Sequence, residues 1–421
     1  MKVLLVHKFY RKLSGAEMYF HDVVRILKAN QHTVKIYTTN FNAEGGIDEK
    51  VTDSEVVYGT AVDYLRGGAI SKMMRLPQII YSDKNKEEFA ALLKEFKPDV
   101  VHVFAIYVTI SPSILDACRE AGTPVVMSCN DYKHICTNYR LYHHGHICTD
   151  CKGNRFYKAI TNNCCKHSIA FSIASSIEAY AYERKNIFRK NVSVFSFESK
   201  FMLNITKEFW GSETHRSYLL GKPFDATQYD AHPDADDYLL YIGRLSDEKG
   251  VDVLLKAMAL VPEAKLRIVG TGYYIDYLKD LSVKLKVTNV TFEGSKWGDE
   301  AKDFIRRSRF VVIPSLWHEN FPYVITECFA LGKAIIGSNR GGIPENIISG
   351  ETGYVYDADN HEQLADFIRI LWREKAEAVS MGMKAKKLAD EAFNDSVFHK
   401  KLMGLYDLAL TEKKQSLHHS E

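Results

Sequence analysis

The sequence predicts an α/β protein of two doubly wound parallel-sheet domains, on three observations. Short β-branched runs alternate with helical stretches along the whole chain, the signature of repeated strand, helix, strand units. The alternation breaks once, at "GKPFDATQYDAHPDADD" from Gly221, which carries two prolines, five aspartates and no periodicity, and so reads as a linker. The length of 421 residues also suits two cores, at roughly 150 residues per domain. The expected domains are residues 1–220 and 221–395, followed by a helix and tail at 396–421.

"KVLLVH" is the first strand, a loop ends in "LSGAE", a helix runs from Ala16 to Ala29, and "HTVKIYTT" is the second strand. "PDVVHVF", "TPVVMSC", "SIAFSIAS" and "VSVFSF" predict four more. After the linker a second winding begins with "YLLYIGRL" and continues through "KLRIVGTG", "VTFEGS", "FVVIPS", "KAIIGS" and "TGYVYD". The segment "SVFHKKLMGLYDLALTEKKQ" is an amphipathic helix, expected to pack back on the first domain, with a mobile charged tail beyond it. Open parallel sheets bind ligands beyond the carboxyl ends of their strands. Two such domains face to face enclose a cleft with one substrate on each side.

Charge argues against a nucleic-acid partner: 55 Lys and Arg against 53 Asp and Glu leave a formal charge of +2, so any anion is held locally. The apolar start of "MKVLLVHKFY" is too short for a signal peptide, and no window resembles a spanning helix. A cytoplasmic protein is expected, with its eight cysteines reduced or bound to metal.

Within "PSLWHENFPYVITECFALGKAIIGS" two acids, Glu319 and Glu327, stand in one of the most apolar parts of the chain, where an unpaired carboxylate is costly to bury. Phe321-Pro322 predicts a helix start with proline at the first helical position. Glu319 then precedes the helix and Glu327 lies more than one turn inside it. The free amides from Asn320 to Tyr323 offer a phosphate site, and a carboxylate accepts well from paired hydroxyls. One acid suits a hexose and the other a ribose, so the site suits a nucleotide diphosphate sugar. The bland alternative is a loop acid and a helix salt-bridge residue. In "YIGRLSDEKG", Arg244 follows a strand and Lys249 follows five residues later, where both can converge on phosphates.

These residues resemble those of the retaining glycosyltransferases of family four, which have the GT-B fold. The matching pieces are "YIGRLSDEKGVDVLLKAM", "LRIVGTG", the Glu-x7-Glu of "ENFPYVITE", "ALGKAIIGS" and "GGIPENIISGETGYVY", in the family's order, with "SGAE" at its Gly-rich first loop. The resemblance implies that Arg244 and Lys249 contact the donor diphosphate, Glu319 the transferred sugar and Glu327 the ribose. It implies that Gly15 and the amides near Asn320 and Phe321 complete the phosphate cradle. It also implies same-face transfer with retention and no cofactor required for catalysis, since Arg, Lys and a helix terminus can stabilise the leaving diphosphate. The implied acceptor is a glycan or lipid-linked saccharide in bacterial surface-polysaccharide assembly. An epimerase or hydrolase on the same fold, or an idle sugar-nucleotide binding protein, are the alternatives.

Four further features stand apart. "GTGYYI" has Ile275 at the third position of a dinucleotide fingerprint, so an NAD enzyme is discounted. "SCNDYKHIC" has Asn130-Asp131 where many relatives have His-Asp, leaving Asn130, Asp131 and His134 as candidate cleft residues on the acceptor side. Cys136, Cys148, Cys151 and Cys164 or Cys165 give C-x11-C-x2-C-x12-C, a candidate structural zinc site, with His143, His144 and His146 as other ligands. Finally, "YLRGGAISKMMRLPQIIY" at residues 64–81 mixes Arg66, Lys72 and Arg75 with apolar residues. It could rest on the cytoplasmic face of an inner membrane, or be an ordinary amphipathic helix ending near Pro77.

Overall fold

The computed structural model describes residues 1–11, 15–41, 49–62, 69–211, 216–233 and 235–418. Among these, two parallel sheets form. The first has seven strands in the order Val56–Tyr58, Thr33–Thr39, Lys2–Phe9, Val100–Val103, Val125–Cys129, Val194–Phe197, Ser217–Leu219. The second has six, in the order Val290–Gly294, Leu266–Val269, Leu239–Ile242, Phe310–Ile313, Ala334–Ser338, Gly353–Tyr356. Both are doubly wound, with the winding reversing between the first and fourth strands of each sheet.

Strand alternation builds the cores. Leu4 and Val6 face one layer of the first sheet and Val3 and Leu5 the other, all fully buried. The second sheet repeats the device, with Leu239 and Tyr241 on one face and Leu240 on the other. Helices begin where side chains replace missing backbone partners: Ser82 accepts from the Asn85 N–H, Ser199 from Met202 and Asn360 from Gln363.

All six expected strands of the second half form. In the first half "SIAFSIAS" is not a strand but the start of the helix Ile169–Lys185. Its Ser and Ile alternation imitates a strand, yet Ile169, Ile173 and Ile177 are four residues apart and share one helical face. Edge strands Val56–Tyr58 and Ser217–Leu219 were not legible as such, being only three residues each.

The first sheet's last strand ends at Leu219 and the second's first begins at Leu239. The terminal helix Asp395–His418 returns to the first domain, where Phe398, Leu402, Leu405 and Tyr406 join its core. The His102 ring and the Tyr406 hydroxyl, 2.9 Å apart, fasten it there, as does an Arg25–Asp395 ion pair. The helix Ala69–Ile80 runs through Pro77 rather than ending there, and lies beside Ile169–Lys185; Arg66 and the Lys72 side chain fall outside the described residues.

Candidate active site

The reversal in the second sheet lies between Leu239–Ile242 and Phe310–Ile313, and the loops leaving these two strands carry Arg244, Lys249 and Glu319. Glycines let those loops meet. Gly250 has φ 66°, and a Cβ there would stand 2.0 Å from the Pro314 carbonyl oxygen. Gly341, at φ 60°, would put a Cβ 2.0 Å from the Glu319 carbonyl, which accepts a 2.7 Å hydrogen bond from the Gly342 N–H.

Glu319 is buried, and its Oε1 accepts from Lys249 Nζ at 2.6 Å and from Ser315 Oγ at 2.8 Å. Burial alone would raise its carboxyl, but the Lys249 ammonium and these hydrogen bonds outweigh that and hold it below the usual range. Lys249 also sits 5.2 Å from the Trp317 ring centre. Arg244 reaches Glu248 at 2.9 Å, yet its side chain is 63% exposed and open to a ligand. Glu248 is fully buried and also faces Arg140 of the first domain at 3.5 Å. Ser315, Trp317, Glu248 and Arg140 were missed in the sequence; Ser315 and Trp317 lie within the stretch that flagged Glu319.

The helix is Tyr323–Ala330, one residue later than expected: Pro322 has ψ 129° and caps the helix instead of occupying its first position. The first turn bond runs from the Ile325 N–H to the Pro322 carbonyl, so the amides of Tyr323 and Val324 precede it. Glu327 lies in that helix, and burial pushes its carboxyl up to about 7 against the pull of Lys302. Phe321 is buried against Phe393. The Asn320 side chain turns to the first domain, accepting from Ser199 Oγ at 2.9 Å and donating to the Cys129 carbonyl at 3.4 Å. Glu345, also missed, accepts from the Lys200 and Phe201 N–H groups at 2.8 and 2.6 Å, at the start of the helix Lys200–Trp210.

On the facing domain Gly15 begins the helix Gly15–Ala29 and abuts Tyr323, where a Cβ would make only an ordinary 3.5 Å contact with the ring. Crowding does not demand glycine there. Asn130 donates to Glu198 at 2.5 Å, Glu198 pairs with the buried Lys222, and Lys222 Nζ stands 4.3 Å from the Tyr323 ring centre. Asn130 is thereby linked to the donor-side helix. Burial raises the Asp131 carboxyl and lowers the Lys8 ammonium, and the charge of each opposes the other's shift; Asp131 follows the carboxyl end of the strand Val125–Cys129. His134 is placed elsewhere: its Nε2 meets Thr206 Oγ1 at 2.8 Å and its ring lies edge-on to Trp210. It belongs to the interior behind the loop.

The eight cysteines are all free thiols. Cys136, Cys148, Cys151 and Cys164 share one loop region but do not stand at mutual metal-ligand distance. Among the described residues, the grouping that does is His143, Cys148 and Asp150, within 4.8 Å of one another.

A family model described as Glycosyl transferases group 1 matches residues 226–388, and a second, Glycosyltransferase Family 4, matches residues 13–175. The chain belongs to glycosyltransferase family four. A protein of the cps region of Klebsiella pneumoniae is 25% identical over 355 residues, 82% of this chain and 87% of that one. An uncharacterised glycosyltransferase of Methanocaldococcus jannaschii is 32% identical over 184 residues, 42% of this chain but only 46% of its own length. The family's GT-B fold is matched by the Anabaena HepE structure in complex with UDP, at TM-score 0.66 and 16% identity over 96% of this chain and 99% of that one. Sucrose-phosphate synthase from Thermosynechococcus elongatus matches at TM-score 0.70 and 17% identity over the full length of both.

Proposed function

We propose that this family-four protein moves a sugar from a nucleotide diphosphate sugar to a hydroxyl of a glycan or lipid-linked saccharide, with retention of configuration. The observation that carries the reading is the convergence of Lys249 and Glu319, 2.6 Å apart, at the reversal of the second sheet. HepE was determined with UDP, which supports the same class of donor here.

In this reading Arg244, Lys249 and the amides of Tyr323 and Val324 hold the diphosphate, and Glu327 accepts from the ribose hydroxyls. Gly15, at the start of the facing helix beside Tyr323, borders the diphosphate. Glu319, kept ionised by Lys249, accepts from the sugar's hydroxyls and faces the positive charge that develops at the reacting carbon. The glycosidic C–O bond to the diphosphate breaks, the acceptor oxygen bonds to the same face of that carbon, and the leaving phosphate oxygen takes the acceptor's proton. The two cations and the helix amides supply the charge that a metal ion would otherwise bring, so we propose catalysis without one. Asn130 and Asp131 border the acceptor side.

A surface-polysaccharide role is supported by the cps-region relative and by a lipopolysaccharide 1,2-N-acetylglucosaminetransferase of Salmonella typhimurium, 34% identical over 128 residues, 28% of this chain and 34% of that one. No described helix is long and apolar enough to cross a membrane. Peripheral contact is favoured by the helix Ile169–Lys185, whose Ile169, Ile173 and Ile177 are 58%, 40% and 47% exposed and are followed by Arg184 and Lys185. We expect the protein to sediment with vesicles containing phosphatidylglycerol and not with phosphatidylcholine alone; equal recovery with neither would remove the membrane from the account.

A thermal-shift panel of UDP, GDP, ADP and their common sugar conjugates, with and without magnesium, tests the donor site. Selective stabilisation by one base, independent of magnesium, is expected. Stabilisation by none of them would refute the assignment.

A further inference from the structure

The loop region from Asn130 to Ser168 has little regular structure to hold it. It holds two strands of two residues, Tyr142–His143 and His146–Ile147, and one helical turn, Lys158–Thr161. Between Tyr139 and His167 seven non-glycine residues have positive φ, a conformation that persists only where surroundings impose it. Structureless segments of this length inside a compact domain are uncommon and usually serve a function. What the segment does have in number is thiols, five of the chain's eight.

Two of those thiols flank one side chain, while Cys136 Sγ lies 3.0 Å from Asn138 Oδ1. The Oγ1 of Thr137, a buried residue, is 4.0 Å from Cys151 Sγ and 4.0 Å from Cys164 Sγ. Cys136 is the residue before Thr137, and Cys148 is three before Cys151. Cys165 Sγ lies 3.9 Å from Cys164 Sγ as its chain neighbour. A tetrahedral zinc with sulfur at about 2.3 Å needs its sulfurs about 3.8 Å apart, so the four must draw in from these positions when an ion binds. Coupling of metal binding to local folding is the rule for such sites.

We propose that Cys136, Cys148, Cys151 and Cys164 bind one zinc ion, which holds this loop against the donor domain. The loop reaches that domain through Arg140, between the first two ligands, whose guanidinium faces the buried Glu248 at 3.5 Å. Glu248 in turn bonds Arg244. The ion therefore fixes the far end of a chain of contacts that ends on a diphosphate-binding residue; this last step rests on the donor site proposed above, whereas the metal site does not. The tighter trio of His143, Cys148 and Asp150 is the competing ligand set. Asp150 is exposed, and Asn162 Nδ2 already occupies both neighbours, at 2.9 Å from Asp150 and 3.3 Å from His143. Thiolates are the softer ligands and suit zinc better than an exposed carboxylate.

The test is metal analysis of the purified full-length protein together with its cobalt(II) form. We expect one zinc per chain and the near-ultraviolet thiolate-to-cobalt band of a tetrahedral sulfur site. Cys136→Ser, Cys151→Ser and Cys164→Ser should each lose the metal, while Cys165→Ser, His143→Gln and Asp150→Asn keep it. A folded protein with neither zinc nor the cobalt band overturns the proposal. So does metal that survives Cys136→Ser and Cys164→Ser but is lost in His143→Gln and Asp150→Asn. Weaker UDP-glucose binding by zinc-depleted protein would support the link through Arg140; unchanged binding with the zinc count confirmed would refute that link alone.

Discussion

Glu327 gives the donor site a pH signature. Burial lifts its carboxyl from 4.5 to about 7, while accepting from ribose hydroxyls calls for the ionised form. Binding below pH 7 must therefore include loss of the proton, at about 1.4 kcal/mol per pH unit. Donor affinity should fall about fivefold between pH 7 and 6, where the carboxyl is already half protonated at the start, and about another tenfold by pH 5. The assay is calorimetric titration with a nucleotide sugar such as UDP-glucose, whose diphosphate is a diester and does not titrate in this range. In Glu327→Gln the pH dependence should vanish, with affinity at pH 8 reduced. The sign for stability is opposite. The folded state holds this proton more tightly than the unfolded chain, so between pH 4.5 and about 7 stability declines as pH rises, by up to about 3 kcal/mol. Donor affinity that is flat from pH 5 to 8, or a slope that persists in Glu327→Gln, would refute the reasoning.

Two more substitutions probe the architecture around Glu319. Gly250→Ala combines φ 66° with a 2.0 Å approach to the Pro314 carbonyl; it should lower stability by at least about 1 kcal/mol and weaken donor binding by displacing Lys249, as thermal melts with and without nucleotide would show. Lys249→Met should cost about 3 kcal/mol by leaving the buried Glu319 carboxylate without its cation, and adding Glu319→Gln should recover most of that loss in chemical denaturation.

The second sheet was legible strand by strand because its buried runs, such as "FVVI" and "AIIGS", are short, continuous and separated by turn residues. The first domain was less so. Ile169, Ile173 and Ile177 alternate locally with small polar residues and imitate a strand until the helix shows them on one face. Within the site, Glu319, Arg244 and Lys249 stand out by residue type in an apolar setting, whereas Ser315, Glu248 and Arg140 do not. Arg140 acquires meaning only when the domains close and bring it to Glu248, more than a hundred residues away. His134 illustrates the converse: sequence marks its chemistry but not that Thr206 and Trp210 enclose it.

The central claim is that Glu319 acts on the sugar at the reacting carbon and not on the nucleotide. Nucleotide release from the donor identified by the thermal-shift panel, measured beside its dissociation constant in wild type and Glu319→Gln, tests this most directly. The account predicts that kcat falls by roughly a hundredfold or more while the dissociation constant moves by less than about threefold. Equal losses in both would contradict it and return Glu319 to a structural partner of Lys249.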